Sequence, residues 1–257
     1  MASFFHTIIF EPLYNGLVFL IHITPFADVG IAVIIFTCIV KLLLFPLSKK
    51  AVKTQMAMKA IEPETEKIKN QFKNNREELA RQTMALYKKH QVNPFSSFAV
   101  ILIQIPIILG LYYVFFKGGL PTINTDWLYS FVAAPDKVNM IFLGLLDISK
   151  KSIFLALLAG VSQFFQAKLA MPPIKPRGAE PDFKADLARS MGLQMRYIFP
   201  IVVVFIAYSI SGAIALYWTT SNIFAIGQEL IIRRQLKTGQ QKLWATTRLS
   251  LKLLKSY

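Results

Sequence analysis

Apolar side chains along this chain gather into long blocks separated by polar, basic stretches, and the blocks have the length of a bilayer rather than of a soluble core helix. A spanning helix needs roughly 20 mostly apolar residues at ~1.5 Å rise each. Residues 29–48, 94–116 and 152–170 each suit one span. The apolar run from Tyr197 to Ile232 is 36 residues, too long for one crossing, and the stretch Ser209-Ile210-Ser211-Gly212 divides it into spans over 197–210 and 211–232. The pattern predicts an all-α polytopic membrane protein with five transmembrane helices. Residues 1–28 are apolar but interrupted by Glu11-Pro12, Asn15-Gly16 and Thr24-Pro25, which suits an amphipathic helix lying along the outer leaflet. Residues 49–93 are rich in Lys, Glu, Gln, Ala and Met, all good helix formers, and Asn74-Asn75 offers a turn between two helices. They are expected to form a cytosolic helical hairpin. Its Met56, Met58 and Met84 offer a soft surface to apolar partners, or else fill the seam between the two helices.

Polar residues inside the blocks recur at helical spacing. Thr37, Lys41 and Ser48 share one face of the first span, and Ser97 and Gln104 one face of the second. The third carries Ser162, Gln163 and Gln166; the fifth carries Ser211, Trp218, Asn222 and Glu229. Any one stripe suits helix–helix contact, the usual work of Ser, Thr, Asn and Gln in membranes. Four stripes together with a lysine suit a wet cavity. Lys41 is the costly member, at ~2.5–3.5 kcal/mol for a lysine at the centre of an inserted helix, and such charges usually face a protein interior or water. Snorkelling to the interface near Lys49 would have to cover eight residues, ~12 Å of helix, more than a lysine stem reaches unless the bilayer thins. Glu229 lies within a helical turn of Arg233 and Arg234 and is expected to pair there.

Charge sets the orientation. The 257 residues are 54% hydrophobic, with a formal net charge of +15. Of the 29 lysines and arginines, 11 fall in Lys49–Gln91, 6 in Lys168–Arg196 and 7 from Arg233 onward. By the positive-inside rule these are the cytosolic parts, so the N-terminus is outside and 117–151 is an extracytoplasmic loop. Residues 171–196 become a cytosolic loop, and 233–257 a basic cytosolic tail. The tail's seven basic residues come with no acid, a composition that attracts anionic lipid and also suits the phosphates of ribosomal RNA. No DNA partner is expected. The single cysteine, Cys38, rules out a disulfide framework and reads as a small apolar packer. No basic residue precedes Phe4, so no secretory signal is expected. His6, His22 and His90 lack metal-ligand spacing, and no glycine-rich nucleotide loop is present, so no cofactor or metal is expected. Paired aspartates, HExxH and a Ser/His pair are missing from the spans, which argues against an intramembrane protease and against an enzyme generally.

Taken in order, several short motifs resemble the YidC/Oxa/Alb membrane protein insertases. The first span's Lys41-Leu-Leu-Leu-Phe-Pro46-Leu-Ser-Lys-Lys is similar to the family's charged residue followed by a Pro-Leu exit. Leu86-Tyr87, Asn93-Pro94, Gln104-Ile-Pro106 and Leu111-Tyr112 follow. Gly212, Leu216-Tyr217-Trp218, Asn222 and Gln228 in the last span keep the family's order. The chain departs from the pattern in three places: lysine stands where most bacterial members carry arginine, Val100 where many have proline, and Gln166-Ala167-Lys168 where a Gln-Lys pair is usual. It resembles the short form that lacks the large extracytoplasmic domain.

The resemblance implies a bacterial plasma (inner) membrane protein whose five spans enclose a hydrophilic groove, open to the cytosol and to lipid. Its substrate-binding residues would be Lys41, Thr37, Gln104, Gln163, Gln166, Trp218 and Asn222, with Met56, Met58 and Met84 contacting substrate from the cytosolic hairpin. Nascent membrane proteins and the lipid bilayer are the implied partners, with the Sec translocon and, through the basic tail, the ribosome as further candidates. Two other readings are weighed against it. A folding or assembly scaffold would use the same groove without inserting anything. A small transporter or channel would need a continuous pore, and the outer ends of the spans carry Val33, Ile34, Phe115 and Phe116 instead; internal repeats, common in transporters, are not evident.

Overall fold

The computed structural model describes residues 6–73, 75–93, 96–116, 120–171 and 189–254, with side chains at 6–73, 75–93, 105–115, 120–171, 189–236 and 238. The side chains of Ser97 and Gln104, the turn residue Asn74, most of the 171–196 loop and the side chains of the tail beyond Thr238 lie outside the described residues. The helices are α1 (His6–Ile23, opening with a π turn over His6–Phe10), α2 (Val29–Leu43), α3 (Phe45–Ala60), α4 (Glu62–Gln71) and α5 (Arg76–Lys89). After them come α6 (Ser96–Phe116), α7 (Ile153–Ala170), α8 (Arg189–Ile210) and α9 (Gly212–Leu254). Two short antiparallel strands, β1 (Ile141–Phe142) and β2 (Leu146–Asp147), lie between α6 and α7 and pair Ile141 with Asp147 and Phe142 with Leu146. The protein is mostly helical, as an all-α membrane protein should be.

Among the described residues, α1, α7 and α8 are long and apolar enough by length and composition to cross a membrane, and α2 with α3 passes the same test as a broken pair. The described apolar part of α6, Ile105–Phe115, is shorter. The expected first span, 29–48, is interrupted at Leu44. The Leu44 N–H still donates to the Val40 carbonyl at 3.0 Å. Pro46, however, brings no N–H for the Leu42 carbonyl, and its ring crowds the preceding turn, so the helix stops and restarts. Residues 6–23 form a continuous helix despite Glu11-Pro12, because Pro12 falls in the first α-helical turn after the π segment, where a missing N–H costs little. At the other end, α9 continues past 232 to Leu254.

By contact density the chain divides into two compact units, Met1–Leu44 with Ile101–Ile226, and Phe45–Val100 with Gly227–Tyr257. In the first, Tyr14, Leu17, Val18 and Ile21 of α1 are fully buried with Val29, Ala32 and Val33 of α2, and with Leu111 and Val114 of α6. Helices α7 and α8 pack closely where Gly160 meets α8: a Cβ there would strike the Val204 side chain and stand 3.1 Å from the Pro200 carbonyl. Small residues at such contacts are what membrane helices use in place of a hydrophobic driving force.

Residues 120–148 are fastened to this core. The Tyr14 hydroxyl accepts from the Asn124 N–H at 2.8 Å. Buried Asn15 donates to the carbonyls of Glu11 (2.9 Å) and Trp127 (2.8 Å) and accepts from the Tyr129 N–H (2.7 Å). Phe10 and Tyr14 meet the edge of Trp127 at ring-centroid distances of 5.3 and 5.8 Å. Asp28 caps α2 by accepting from Gly30 N (2.7 Å) and Ile31 N (3.1 Å), while its second oxygen accepts from Leu143 N at 2.8 Å. Gly30 is required at that corner, since a Cβ would collide with the Phe142 ring. The N–H groups of Gly212 and Ala213 donate to the carbonyls of Lys150 and Ile148, holding the start of α9 to the same segment. Asn15→Ala is expected to leave the Trp127 carbonyl and the Tyr129 N–H without their partner, destabilising the fold by about 2 kcal/mol. Hydrogen exchange should then quicken at Asn124–Tyr129 while α7 keeps its protection.

In the second unit, α4 and α5 pack against each other around buried Ile61, Leu86 and Val92, with Ala57, Met58, Ile68 and Tyr87 against them. Asn75 caps α5 by accepting from Glu78 N at 3.1 Å. Met58 thus joins an apolar seam, Met84 is about half exposed, and Met56 is partly buried. The expected local pair forms: buried Glu229 accepts from Arg233 Nη2 at 2.7 Å, and the same nitrogen donates to Gln55 Oε1 at 3.3 Å.

Candidate functional site

Of the polar residues expected in the spans, Thr37 and Lys41 on the one hand, and Ser162, Gln163, Gln166, Trp218 and Asn222 on the other, form two groups within the first unit, whereas Ser48 and Glu229 fall in the second. The first group lies at a small recess lined by Phe36, Thr37, Val40, Lys41 and Leu44 of the α2 segment, Ile107 of α6 and Tyr217 of α9. A spacing of four along α2 puts Thr37 and Lys41 on one helical face, as expected, and Leu44 follows at the end of the helix, whereas Ser48, expected on the same face, lies beyond the break in α3. Thr37 is buried and its hydroxyl donates to the Val33 carbonyl at 2.6 Å, so it shapes the recess without offering its proton outward. Lys41 is partly exposed. The recess therefore places a cationic side chain and a phenol against walls that are otherwise apolar.

The second group forms a buried polar seam between α7 and α9. Trp218 Nε1 donates to Gln163 Oε1 at 3.1 Å, and Gln163 Nε2 donates to Gln166 Oε1 at 3.4 Å. Asn222 Nδ2 donates to Ser162 Oγ at 3.1 Å, and Ser162 Oγ donates to the Ala159 carbonyl at 2.9 Å. Gln163, Trp218, Asn222 and Ser162 are all buried. Of the two third-span glutamines, Gln163 is thus the one that meets α9, while Gln166 lies one turn on and is less buried. Tyr217 and Trp218 are neighbours in α9, and the ~100° helical step between them turns one toward the recess and the other toward α7. Trp218→Phe removes the indole donor and leaves the Gln163 oxygen unmatched. It is expected to cost about 1 kcal/mol, a fall of about 2–4 °C in the unfolding midpoint in detergent.

Four features were not read as site residues in the sequence. Tyr217 and Phe36 line the recess, and Asn15 and Asp28 tie the 120–148 segment to α1 and α2. An aspartate two residues ahead of Gly30 and one ahead of an apolar helix is a recognisable cap signal. Asn15 inside an apolar helix signals a polar partner without naming it. The Gln104 side chain, expected to line the same groove as Lys41, lies outside the described residues.

Comparison with known proteins fits this arrangement of apolar helices. The family model described as "60Kd inner membrane protein" matches residues 20–241. A protein named "Membrane protein insertase YidC" from Clostridium tetani (strain Massachusetts / E88) is 31% identical over 210 residues, covering 82% of this chain and 84% of that one. One of the same name from Fusobacterium nucleatum subsp. nucleatum is 31% identical over 232 residues, covering 88% and 98%. A third, from Francisella tularensis subsp. novicida, is 30% identical over 242 residues, which are 94% of this chain but 38% of that longer protein. This family is one of insertases rather than of enzymes. The chain belongs to the 60Kd inner membrane protein family, the family of the YidC membrane protein insertases.

Proposed function

We propose that this multi-pass protein of the bacterial inner membrane is an insertase that draws the hydrophilic tails of nascent membrane proteins into a positively charged intramembrane groove and releases their apolar helices into lipid. Five spans would enclose the groove, with the N-terminus outside and the C-terminus cytosolic. Lys41 carries the reading: a lysine in an otherwise apolar helix, facing a recess with Thr37 and Tyr217. A tail crossing hydrocarbon meets no partners for its polar groups, at a cost of several kcal/mol for each one left unpaired. A groove shortens that dry path, and burial of the substrate's apolar segment in lipid then drives the step forward. Gln104, Gln163, Gln166, Trp218 and Asn222 would form its polar wall, with the bonds from Trp218 and Asn222 to α7 keeping the wall closed.

The packing of Val33, Ile34 and Phe115 into the apolar core favours a groove closed toward the outside over a transporter's continuous pore. Helices α4 and α5 would be the cytosolic hairpin, with Met56, Met58 and Met84 meeting apolar segments of the substrate. The Sec translocon and, through the basic tail, the ribosome are further partners on this reading. The test is the purified chain in liposomes, scored by protease protection for insertion of a small phage-coat-like protein with no other component present. Protection well above that of protein-free liposomes is expected; equal protection would refute independent insertion and leave a folding scaffold.

A further inference from the structure

Four large apolar side chains stand out from the corner where α1 ends and α2 begins. Phe26, between the two helices, is 91% exposed. Leu143 and Leu145, at the tip of the β1–β2 hairpin, are 60% and 83% exposed, and Ile141 at its base 48%. Phe26 and Leu143 adopt left-handed backbone, with φ of 59° and 52°, a region that non-glycine residues seldom enter. Ala27, beside Phe26, does the same at φ 51°. The two apolar protrusions are fixed to one corner. Asp28, buried, accepts from Leu143 N at 2.8 Å, Asn139 N donates to the Ala27 carbonyl at 3.0 Å, and Val29 N donates to the Asn139 carbonyl at 3.0 Å. Strain of this kind persists only where surrounding structure dictates it, and here it holds apolar groups outward rather than inward.

The chemistry of the protrusion selects its partner. From Ile141 to Leu146 the hairpin reads IFLGLL, without a charge or a hydrogen-bonding side chain, and Gly144 at its apex has open space around it. Polar character resumes at once beyond it, with Asp147, Ser149, Lys150 and Lys151. The corner sits three residues past Ile23, the end of an 18-residue apolar helix, and three before Val29, the start of another. Two apolar helices that end together mark the edge of the hydrocarbon layer, so side chains projecting from that corner meet the boundary between acyl chains and headgroups. A bulky apolar tip followed by lysines is the composition that seats there, apolar groups in the acyl boundary and ammonium groups among the phosphates.

We propose that Phe26 and the β1–β2 tip, Leu143 and Leu145 above all, form a membrane-seated finger. It would dip into the lipid leaflet at the N-terminal end of α2 and anchor the 120–148 segment to the bilayer. The partner is lipid, not protein.

The experiment uses the full chain with Cys38→Ser, carrying Leu145→Cys labelled with the environment-sensitive dye NBD, in phosphatidylcholine–phosphatidylglycerol liposomes. Asp136→Cys, exposed in the same segment, is the aqueous control. For position 145 the expected result is blue-shifted emission, quenched at least twofold more by lipid carrying doxyl at carbon 5 than by lipid carrying it at carbon 12, and protected from iodide. Position 136 should show red emission open to iodide. Iodide quenching at 145 equal to that at 136 would overturn the proposal. So would shielding from iodide that brings no lipid quenching and grows with the protein-to-lipid ratio, because that outcome assigns the tip to a second copy of the chain.

Discussion

Lys41→Ala should lower insertion of substrates with short acidic tails at least tenfold in reconstituted liposomes, and Lys41→Arg should retain it. Lys41 lines a recess whose other walls are Phe36, Val40, Leu44 and Ile107, with Tyr217 and buried Thr37. A carboxylate brought within 4 Å of its ammonium gains ~4 kcal/mol at an effective dielectric of about 20. A tenfold change needs only ~1.4 kcal/mol, so most of that attraction can be lost to screening and desolvation and the effect still stands. Arginine keeps the charge and adds a planar fork that binds carboxylates in two places. Charge reversal is the sharper arm: Lys41→Glu should reject acidic tails and accept basic ones, an inversion that a merely structural lysine could not produce. An alanine variant that inserts acidic tails at the parental rate would rule the electrostatic mechanism out.

What the sequence discloses and what it withholds divide along the distance between partners. Helical spacing is enough to put Thr37 and Lys41 on one face, and Glu229 within reach of Arg233 at i+4, and the described structure has both; Ser48, read onto the same face, falls instead in α3 beyond the break at Leu44. The stripes at Ser162, Gln163, Gln166 and at Trp218, Asn222 are legible as stripes. That they meet each other, Trp218 on Gln163 and Asn222 on Ser162, is not, because periodicity assigns faces and says nothing of which helices are neighbours. The same limit hides the role of Asn15, which reads as a flaw in a helix and whose partners lie 112 and 114 residues away. Residues 117–151 read as a loop because no periodicity organises them. Much of their order comes from single long-range hydrogen bonds and from Trp127, Val132 and Ile148 entering the core, signals with no local signature. The break at Leu44 follows from Pro46, whose effect on the helix is masked in the sequence by the long apolar run that leads up to it.

Asp28 tests how firmly those long-range ties hold. Its carboxylate serves three backbone amides, Gly30 and Ile31 through one oxygen and Leu143 through the other, and it is buried. Asp28→Ala strips all three at once. The lost cap costs ~1 kcal/mol, and an unsatisfied buried amide costs ~1–3 kcal/mol, so the expected loss is about 3 kcal/mol, or roughly 10 °C in the unfolding midpoint. Asp28→Asn separates the two duties. Its amide oxygen can still cap α2, but its NH2 group would face the Leu143 N–H donor to donor, so the β1–β2 tip should come loose while the helix start stays closed. Hydrogen exchange resolves the difference residue by residue: in the asparagine variant Leu143 should lose protection and Gly30 and Ile31 keep theirs, whereas in the alanine variant all three should exchange faster. Leu143 that stays protected in both variants would show that the hairpin is held by the packing of Phe142 against Gly30 and that the aspartate is a helix cap alone.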